Sequence, residues 1–544
     1  MTDMRVASGP PPHGRGNFLS PAYLWVAGLK GWRALLFCAV LGAVANFAFP
    51  PFFLWPIYAV SLCGLIWSLD AARLTAKPRR AAFWRVAAFA FTYYLVGLHW
   101  IAWAFLVNAE AYVIFIWMPL IALPGLLSAI LAGMIFLVYP YWSAGPQRLL
   151  IFASAFMFAE WFRSSLFSIG GFPWNLPGMI WAPGEAISQS ASLWGIYGLS
   201  VLTVVAMASP AVLTDSRPRG SATTRAAPLI GAAIVVGALW GEAPVVEATG
   251  PMVRLVEAGV PQNEKTRANA QKILDRFLVL TGEDTADAPG IVIWPEGALP
   301  AFLHEAIEIV PPSLRRRKLL IGIARGERLG SDDAKFYNSL AVLGGQSDMR
   351  GQLDVYDKHM LVPFGEFMPF AGVLKSIGLK TLQDLAPGGF DAGPSPSSVT
   401  VPGIPPFGPL ICYEAIFPGL TAEGAERPAW LVNVTNDSWF GEFLGPGQHA
   451  AQARYRAIEE GLPLARVAAG GDTGMIDAYG RWTAHGKPAD PKIYGSDPAG
   501  WHSSVVDARI PAALPATPYS NWRDGLFWLI FVALNLGLFV LPRR

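Results

Sequence analysis

Cysteine is almost absent from this chain of 544 residues, which has only three. Cys38 and Cys63 lie inside apolar runs and Cys412 stands alone, so no disulfide framework can be drawn. Charge is scarce as well, at 15% of residues with a net of +2. No long basic run or basic helical stripe is present, which leaves no reason to expect a nucleic-acid partner. The seven histidines include no pair at metal-ligand spacing, so neither a metal nor any other cofactor is expected. Internal repeats and long low-complexity tracts are missing. Residues 1–20 are rich in Pro, Gly and Arg and have no apolar core, so no signal peptide is expected.

What the chain has in quantity is apolar surface. Hydrophobic residues make up 53%, with 21 Trp, 32 Phe and a mean hydropathy of +0.38. That excludes an ordinary soluble protein and points to a membrane protein. Runs near the roughly 20 residues needed to cross a bilayer occur at 31–49, 52–69, 81–106, 111–139, 148–167, 190–214, 227–241 and 524–541. The expected architecture is therefore an α-helical transmembrane bundle of about eight spans plus an α/β domain outside the membrane. Residues 1–30 form an N-terminal tail, 31–245 a bundle of about seven helices, 246–520 the α/β domain and 524–541 a closing helix. Arg73, Lys77, Arg79 and Arg80 follow the second span and Arg217, Arg219 and Arg225 the sixth, whereas the intervening loops on the other side carry no such cluster. Under the positive-inside rule both termini are cytoplasmic and the α/β domain faces the opposite side.

Within 246–520, short apolar runs such as "MVRLVEAGV" (252–260), "GIVIWPE" (290–296), "KLLIGIA" (318–324) and "AWLVNVTND" (429–437) alternate with helical stretches at 265–283 and 447–461. Three segments offer reactive groups: "IVIWPE" brings Glu296, "DVYDKHMLVPFGEF" brings Lys358 and Glu366, and "GPLICYE" brings Cys412, Tyr413 and Glu414. Ends of strands are where open α/β sheets build sites. A cysteine nucleophile needs a base, which a carboxylate can be, and a fixed cation for the oxyanion, which an ammonium can be. A strand-to-helix elbow at Cys412 would lower the thiol pKa through the helix N-terminus and offer the Tyr413 backbone N–H to the oxyanion. Each residue taken alone also has an ordinary reading: Cys412 as core, Glu296 and Lys358 as surface charges, Trp439 and Phe440 as packing, Trp174 as an interfacial ring. Glu160 and Arg163, three apart on the fifth span, either pair or face a cavity.

Taken in order, "WPEGALP", "YDKHMLVPFGEFMPF", "ICYEAIFPG", "NVTNDSWFG" and "GPGQHAAQARYRAIEEGLPLAR", with "GFPWN" (171–175) before the sixth span, resemble the nitrilase superfamily. They resemble in particular the apolipoprotein N-acyltransferases of bacterial cell envelopes. The resemblance implies an αββα sandwich and a Glu-Lys-Cys triad of Glu296, Lys358 and Cys412. It implies a supporting role for Glu366, a site lined by Tyr413 and Glu414, and an entrance segment carrying Trp439 and Phe440. It also implies a two-step transfer through a Cys412 thioester: from a membrane phospholipid, phosphatidylethanolamine, to the N-terminal diacylglyceryl-cysteine of an apolipoprotein. The setting it implies is the bacterial inner membrane with the catalytic domain on the periplasmic face. Two departures stand out: "RVAAGGDTG" has Ala469 and Gly470 where an Asn-containing turn is usual, and "VPQNEKTRAN" has Thr266 where a Trp is common. Gly tolerates positive φ, so the turn is expected to survive. A membrane-tethered nitrilase-type amidase, a transporter with a regulatory domain and an inactive scaffold are the competing readings. Few ionisable residues in the spans and no inverted repeat argue against the transporter.

Overall fold

The structure, a computed structural model, describes residues 19–143, 145–166, 170–215, 231, 243–285, 287–311, 314, 317–331, 333–344, 354–369, 389–420, 427–486 and 489–540. It divides into two compact units: one of residues 1–165, 173–243 and 522–544, the other of residues 166–172 and 244–521.

The first unit is helical. Its helices are α1 (Ser20–Gly28), α2 (Trp32–Ala45), α3 (Trp55–Ala72), α4 (Pro78–Leu98), α5 (Leu123–Val138), α6 (Gln147–Ser164) and α7 (Ala191–Ala208), and the closing helix is Gly525–Val540. Four apolar stretches among the described residues are long enough to cross a membrane: Trp55–Ala72, Pro78–Phe105, Val113–Tyr141 and Ile187–Thr214. Shorter apolar helices cover Trp32–Ala48 and Gly525–Leu536. The run at 227–241 falls, apart from residue 231, outside the described residues. Helix α1 occupies part of the stretch read as a tail. Pro sits in the first turn of α1, α3, α4 and α5, where its missing N–H costs nothing. The closing helix packs on α6 and α7 through Trp528 against Trp161, with ring centroids 4.7 Å apart, and Phe527 against Tyr197 at 5.7 Å.

The second unit carries two mixed sheets. The first has six strands in the order β11-β1-β2-β3-β4-β5, the second five in the order β10-β9-β8-β7-β6. Their ranges are β1 Met252–Glu257, β2 Ile291–Trp294, β3 Lys318–Glu327, β4 Lys335–Leu343, β5 Asp354–Asp357, β6 Phe407–Ile411, β7 Trp430–Asn436, β8 Leu464–Ala469, β9 Gly474–Ile476, β10 Trp482–His485 and β11 Ser504–Arg509. Strands β1–β2–β3 and β6–β7–β8 pair in parallel, and the outer strands are antiparallel. All residues of β2, β6, β7 and β8 are buried, the signature of strands covered on both faces.

One apolar cluster draws Leu255, Ile293 and Leu340 from the first sheet together with Ile411, Val432, Val467 and Cys412 from the second. A second joins β1, β2 and β3 to helices α8 (Ala270–Thr281) and α9 (Leu303–Ile309) through Ile273, Phe277 and Leu303. A third joins β6, β7 and β8 to α10 (Leu444–Glu460) through Ala453 and Ala457. The four quoted strand stretches and both helical stretches thus form the expected kinds of element, with boundaries shifted by a few residues.

Candidate active site

Glu296 lies just past the end of β2, and its backbone is close against β3. A Cβ on Gly322 would stand 2.5 Å from the Glu296 Cα, so only glycine permits the approach. The Glu296 carboxylate is buried and engaged at both oxygens: Asn338 Nδ2 donates to Oε1 at 2.7 Å and the Asn436 backbone N–H to Oε2 at 2.8 Å. Lys358 Nζ, from the end of β5, lies 3.4 Å from the same Oε1 and 2.8 Å from Glu366 Oε1. Asn338 donates a second bond to Glu366 Oε1 at 2.8 Å, and the Val362 N–H meets Glu366 Oε2 at 2.8 Å. An ammonium therefore sits between two carboxylates that share one amide donor. Burial alone would lower the Lys358 pKa, but Glu366 and Glu296 outweigh it and hold the ammonium protonated well above its ordinary range.

Cys412 comes immediately after β6 with φ of +48°, the left-handed region that a side chain with a Cβ rarely adopts. Such a residue costs about 1 kcal/mol or more and persists only where its surroundings fix it. Glu414 fixes it from one side: Oε2 accepts from the Ile411 N–H at 2.7 Å, and Oε1 accepts from Tyr356 Oη and the His359 N–H, each at 2.8 Å. The carboxylate thus ties the elbow to the segment that carries Lys358. The expected elbow is present, but it leads into a single 3₁₀ stretch, Cys412–Ile416, in place of an α-helix. The expected lowering of the thiol pKa is corrected accordingly: burial first, and the negative charge of Glu296 second, push the Cys412 thiol far up, against the opposing pull of Lys358. With one ammonium already shared by two carboxylates, burial keeps the thiol in its neutral form. An attack by this sulfur would have to shed the proton, and Glu296 is a carboxylate whose charge bears on it.

The structure brings Glu296, Lys358, Cys412 and Glu366 together, while the other sequence candidates take different positions. Tyr413 is buried, and its hydroxyl donates to the Gly171 carbonyl at 2.6 Å. Glu414 is spent on the elbow. Trp439 is 37% exposed, whereas Phe440, in the same Asp437–Phe440 turn, packs against the cluster between the sheets. Trp174 is buried in the helical unit against Trp100, ring centroids 4.8 Å apart, instead of lying open to lipid. Glu160 and Arg163 form a closed buried pair, completed by the Tyr94 hydroxyl at 2.6 Å and the Trp174 carbonyl. Gly470 has φ of +70°, so the departing turn keeps a left-handed residue. Asn433 and Asn436, which open the sequons Asn-Val-Thr and Asn-Asp-Ser, are buried strand residues.

Sequence reasoning missed Asn338, which no motif marks, and three buried residues behind the elbow. Asp437 accepts from His449 Nδ1 at 2.8 Å, from Arg466 at 2.5 Å and from the Thr435 hydroxyl at 2.9 Å. His449 and Arg466 both fall inside the quoted stretch "GPGQHAAQARYRAIEEGLPLAR", so the signal was there without a role attached. Among the described residues, no group of three His, Cys, Asp or Glu side chains could hold a metal ion.

The comparisons with known proteins agree on one family. The model described as Apolipoprotein N-acyltransferase N-terminal domain matches residues 41–209, and that described as Carbon-nitrogen hydrolase matches residues 259–493. The apolipoprotein N-acyltransferase of Brucella melitensis is 36% identical over 541 residues, covering 95% of this chain and 97% of the relative. That of Rhodopseudomonas palustris is 33% identical over 542 residues, covering 94% and 96%. That of Caulobacter vibrioides is 36% identical over 511 residues, covering 92% and 93%. The thiol, carboxylate and ammonium gathered at the ends of β6, β2 and β5 thus lie in a chain that belongs to the apolipoprotein N-acyltransferase family.

Proposed function

We propose that this enzyme acylates the N-terminal diacylglyceryl-cysteine of bacterial apolipoproteins, using a membrane phospholipid as donor and Cys412 as the acyl carrier. The observation that carries the reading is the left-handed Cys412 beside a carboxylate and an ammonium that are hydrogen-bonded to each other's neighbours.

In the first step the Cys412 sulfur attacks the ester carbonyl of the phospholipid while the thiol proton passes to Glu296. Lys358 supports the negative oxygen of the tetrahedral intermediate. The C–O bond breaks, the proton goes from Glu296 to the leaving alcohol, and a lysophospholipid departs. In the second step the acceptor's α-amine attacks the thioester, its proton passes to Glu296, the C–S bond breaks and the proton returns to the sulfur. A thioester retains enough reactivity for an amine to complete the transfer unaided. Glu366 and Asn338 hold the ammonium and the base in register, and Tyr413 and Glu414 shape the elbow. Trp439 and Phe440 border the entrance, and Trp174 supports the segment on the lipid side. No cofactor enters either step.

The remaining features of the reading come from the sequence: about eight spans, including residues 227–241, and an inner-membrane location with the catalytic unit on the periplasmic face. The second unit's layering is helix, sheet, sheet, helix, a reading supported by the three apolar clusters. The donor is phosphatidylethanolamine. The test is intact-protein mass spectrometry after incubation with phosphatidylethanolamine and no acceptor. A gain of one acyl chain, removed by hydroxylamine and absent in Cys412→Ala, is expected. Turnover of small amides with no adduct would overturn the reading in favour of an amidase.

A further inference from the structure

The elbow is gripped from a second side, by a group outside the triad. His449, on α10, is fully buried, and its Nε2 lies 3.1 Å from the backbone carbonyl oxygen of Cys412. Its Nδ1 lies 2.8 Å from Asp437 Oδ1. The ring thus bridges the Asp437 carboxylate and the Cys412 carbonyl, one ring nitrogen to each. Arg466 approaches Nδ1 only to 3.5 Å and spends its own donors on Asp437 Oδ2, at 2.5 Å, and on the Asn433 side chain. Asn433 in turn donates to the Leu410 carbonyl at 2.8 Å, two residues before the nucleophile. One carboxylate, Asp437, thus holds both the His449 ring and the Arg466 guanidinium behind the β6 end. The Phe440 ring closes the remaining side of His449, edge to face, with centroids 5.6 Å apart.

Where Glu414 ties down the N–H of the residue before Cys412, His449 ties down the carbonyl of Cys412 itself. Those two groups flank the φ and ψ that aim the thiol. We infer that His449 is a positioning residue for acyl transfer: a ring, clamped by Asp437, that holds the Cys412 carbonyl and so keeps the left-handed elbow aimed at the donor ester. This inference rests on the acyl-transfer reading for its consequence and on the geometry alone for its cause.

Two substitutions separate the two ring nitrogens. His449→Asn keeps a donor toward Asp437 and removes the one toward Cys412, whereas His449→Gln sets an amide nitrogen where Nε2 stands. In the full-length detergent-solubilised enzyme with phosphatidylethanolamine, His449→Asn is expected to slow acyl-Cys412 formation about 100-fold, the scale on which displaced reacting groups lose rate. The lipid concentration for half-maximal rate should change by less than about threefold, and His449→Gln should recover to within about tenfold of wild type. A wild-type rate in the Asn variant, or equal losses in Asn and Gln, would overturn the inference. If the Asn variant fails to fold, the Gln variant decides alone, and a loss well beyond about tenfold counts against it.

Alkylation of Cys412 by iodoacetamide, located by peptide mass spectrometry, reads the same geometry without lipid. Slowing in Asn and recovery in Gln with no acyl adduct in wild type would sink the acyl-transfer reading and leave the positioning role standing. No difference in alkylation among the three proteins would sink the positioning role.

Discussion

Among the described residues, two buried cations, Arg148 and Lys358, each sit between two carboxylates, and the second of them lies in the proposed active site. In the helical unit, Arg148 is bidentate to Asp215, with both contacts at 2.8 Å, and 3.3 Å from Asp70, which also accepts from Trp142 at 2.8 Å. In the other unit, Lys358 is shared by Glu366 and Glu296. The charge arithmetic is the same, one plus against two minus, but the chemistry differs. A guanidinium fork fixes its partners in a plane and spends its donors doing so. An ammonium is a point charge with rotatable donors, here held 3.4 Å from Glu296, and in the proposed mechanism it meets the negative oxygen that attack by the neighbouring thiol creates. The Arg148 cluster is a closed structural brace, and the Lys358 cluster is a charge held in reserve.

The sharpest break of this comparison is removal of the nucleophile. Cys412→Ala and Cys412→Ser are both expected to reduce acyl transfer to background, with no adduct by intact mass, while the Lys358 cluster stays assembled. Exchanging the two cations comes next. Lys358→Arg should lose about 100-fold in acylation rate because a planar fork does not fit the point-charge position. Arg148→Lys should leave the acylation rate unchanged and lower stability by about 2 kcal/mol, read from thermal unfolding in detergent. Smaller still is Asn338→Ala, which removes the donor common to Glu296 and Glu366 and should slow acylation about tenfold in single-turnover experiments.

A separate effect is on stability against pH. Burial pushes the Glu257 carboxyl up to about 7, opposed in part by Lys265 and by backbone N–H groups of Gly259 and Gly470. A carboxyl whose folded pKa is raised holds its proton longer in the native state than in the unfolded one. Its contribution is therefore favourable below the unfolded value near 4.5 and is lost as pH rises toward about 7. Glu257→Gln should stabilise the protein at pH 8 by up to about 3 kcal/mol, with the gain vanishing toward pH 4.5. A gain independent of pH would show that packing, and not ionisation, sets the effect.

Much of the molecule is legible in particular residues. "IVIW" and "GPLI" read as buried strands because no polar residue interrupts them, and both are fully buried and paired in parallel with a neighbour. Glu296, Lys358 and Cys412 are marked by motifs whose flanks fix local backbone. Asn338 is invisible, because a lone amide in "FYNSL" gains its meaning only when β4, paired between β3 and β5, brings it within reach of Glu296 and Glu366. The thiol's protonation is misread for a related reason. A helix start can be guessed from sequence, but burial and the negative charge brought in from β2 cannot, and these dominate.

By itself the sequence determined the apolar helical half, the alternating α/β half and the residue types that carry the chemistry. Those arise from local composition, periodicity and motif, which travel along the chain. Only the tertiary structure decided that Cys412 stands in a left-handed elbow gripped by Glu414 and His449, and that the thiol rests neutral. It also decided which of the buried ion clusters is closed. Those properties depend on distances between residues up to 140 positions apart, as between Glu296 and the Asn436 amide, and on the loss of water around them, neither of which is written in any local stretch.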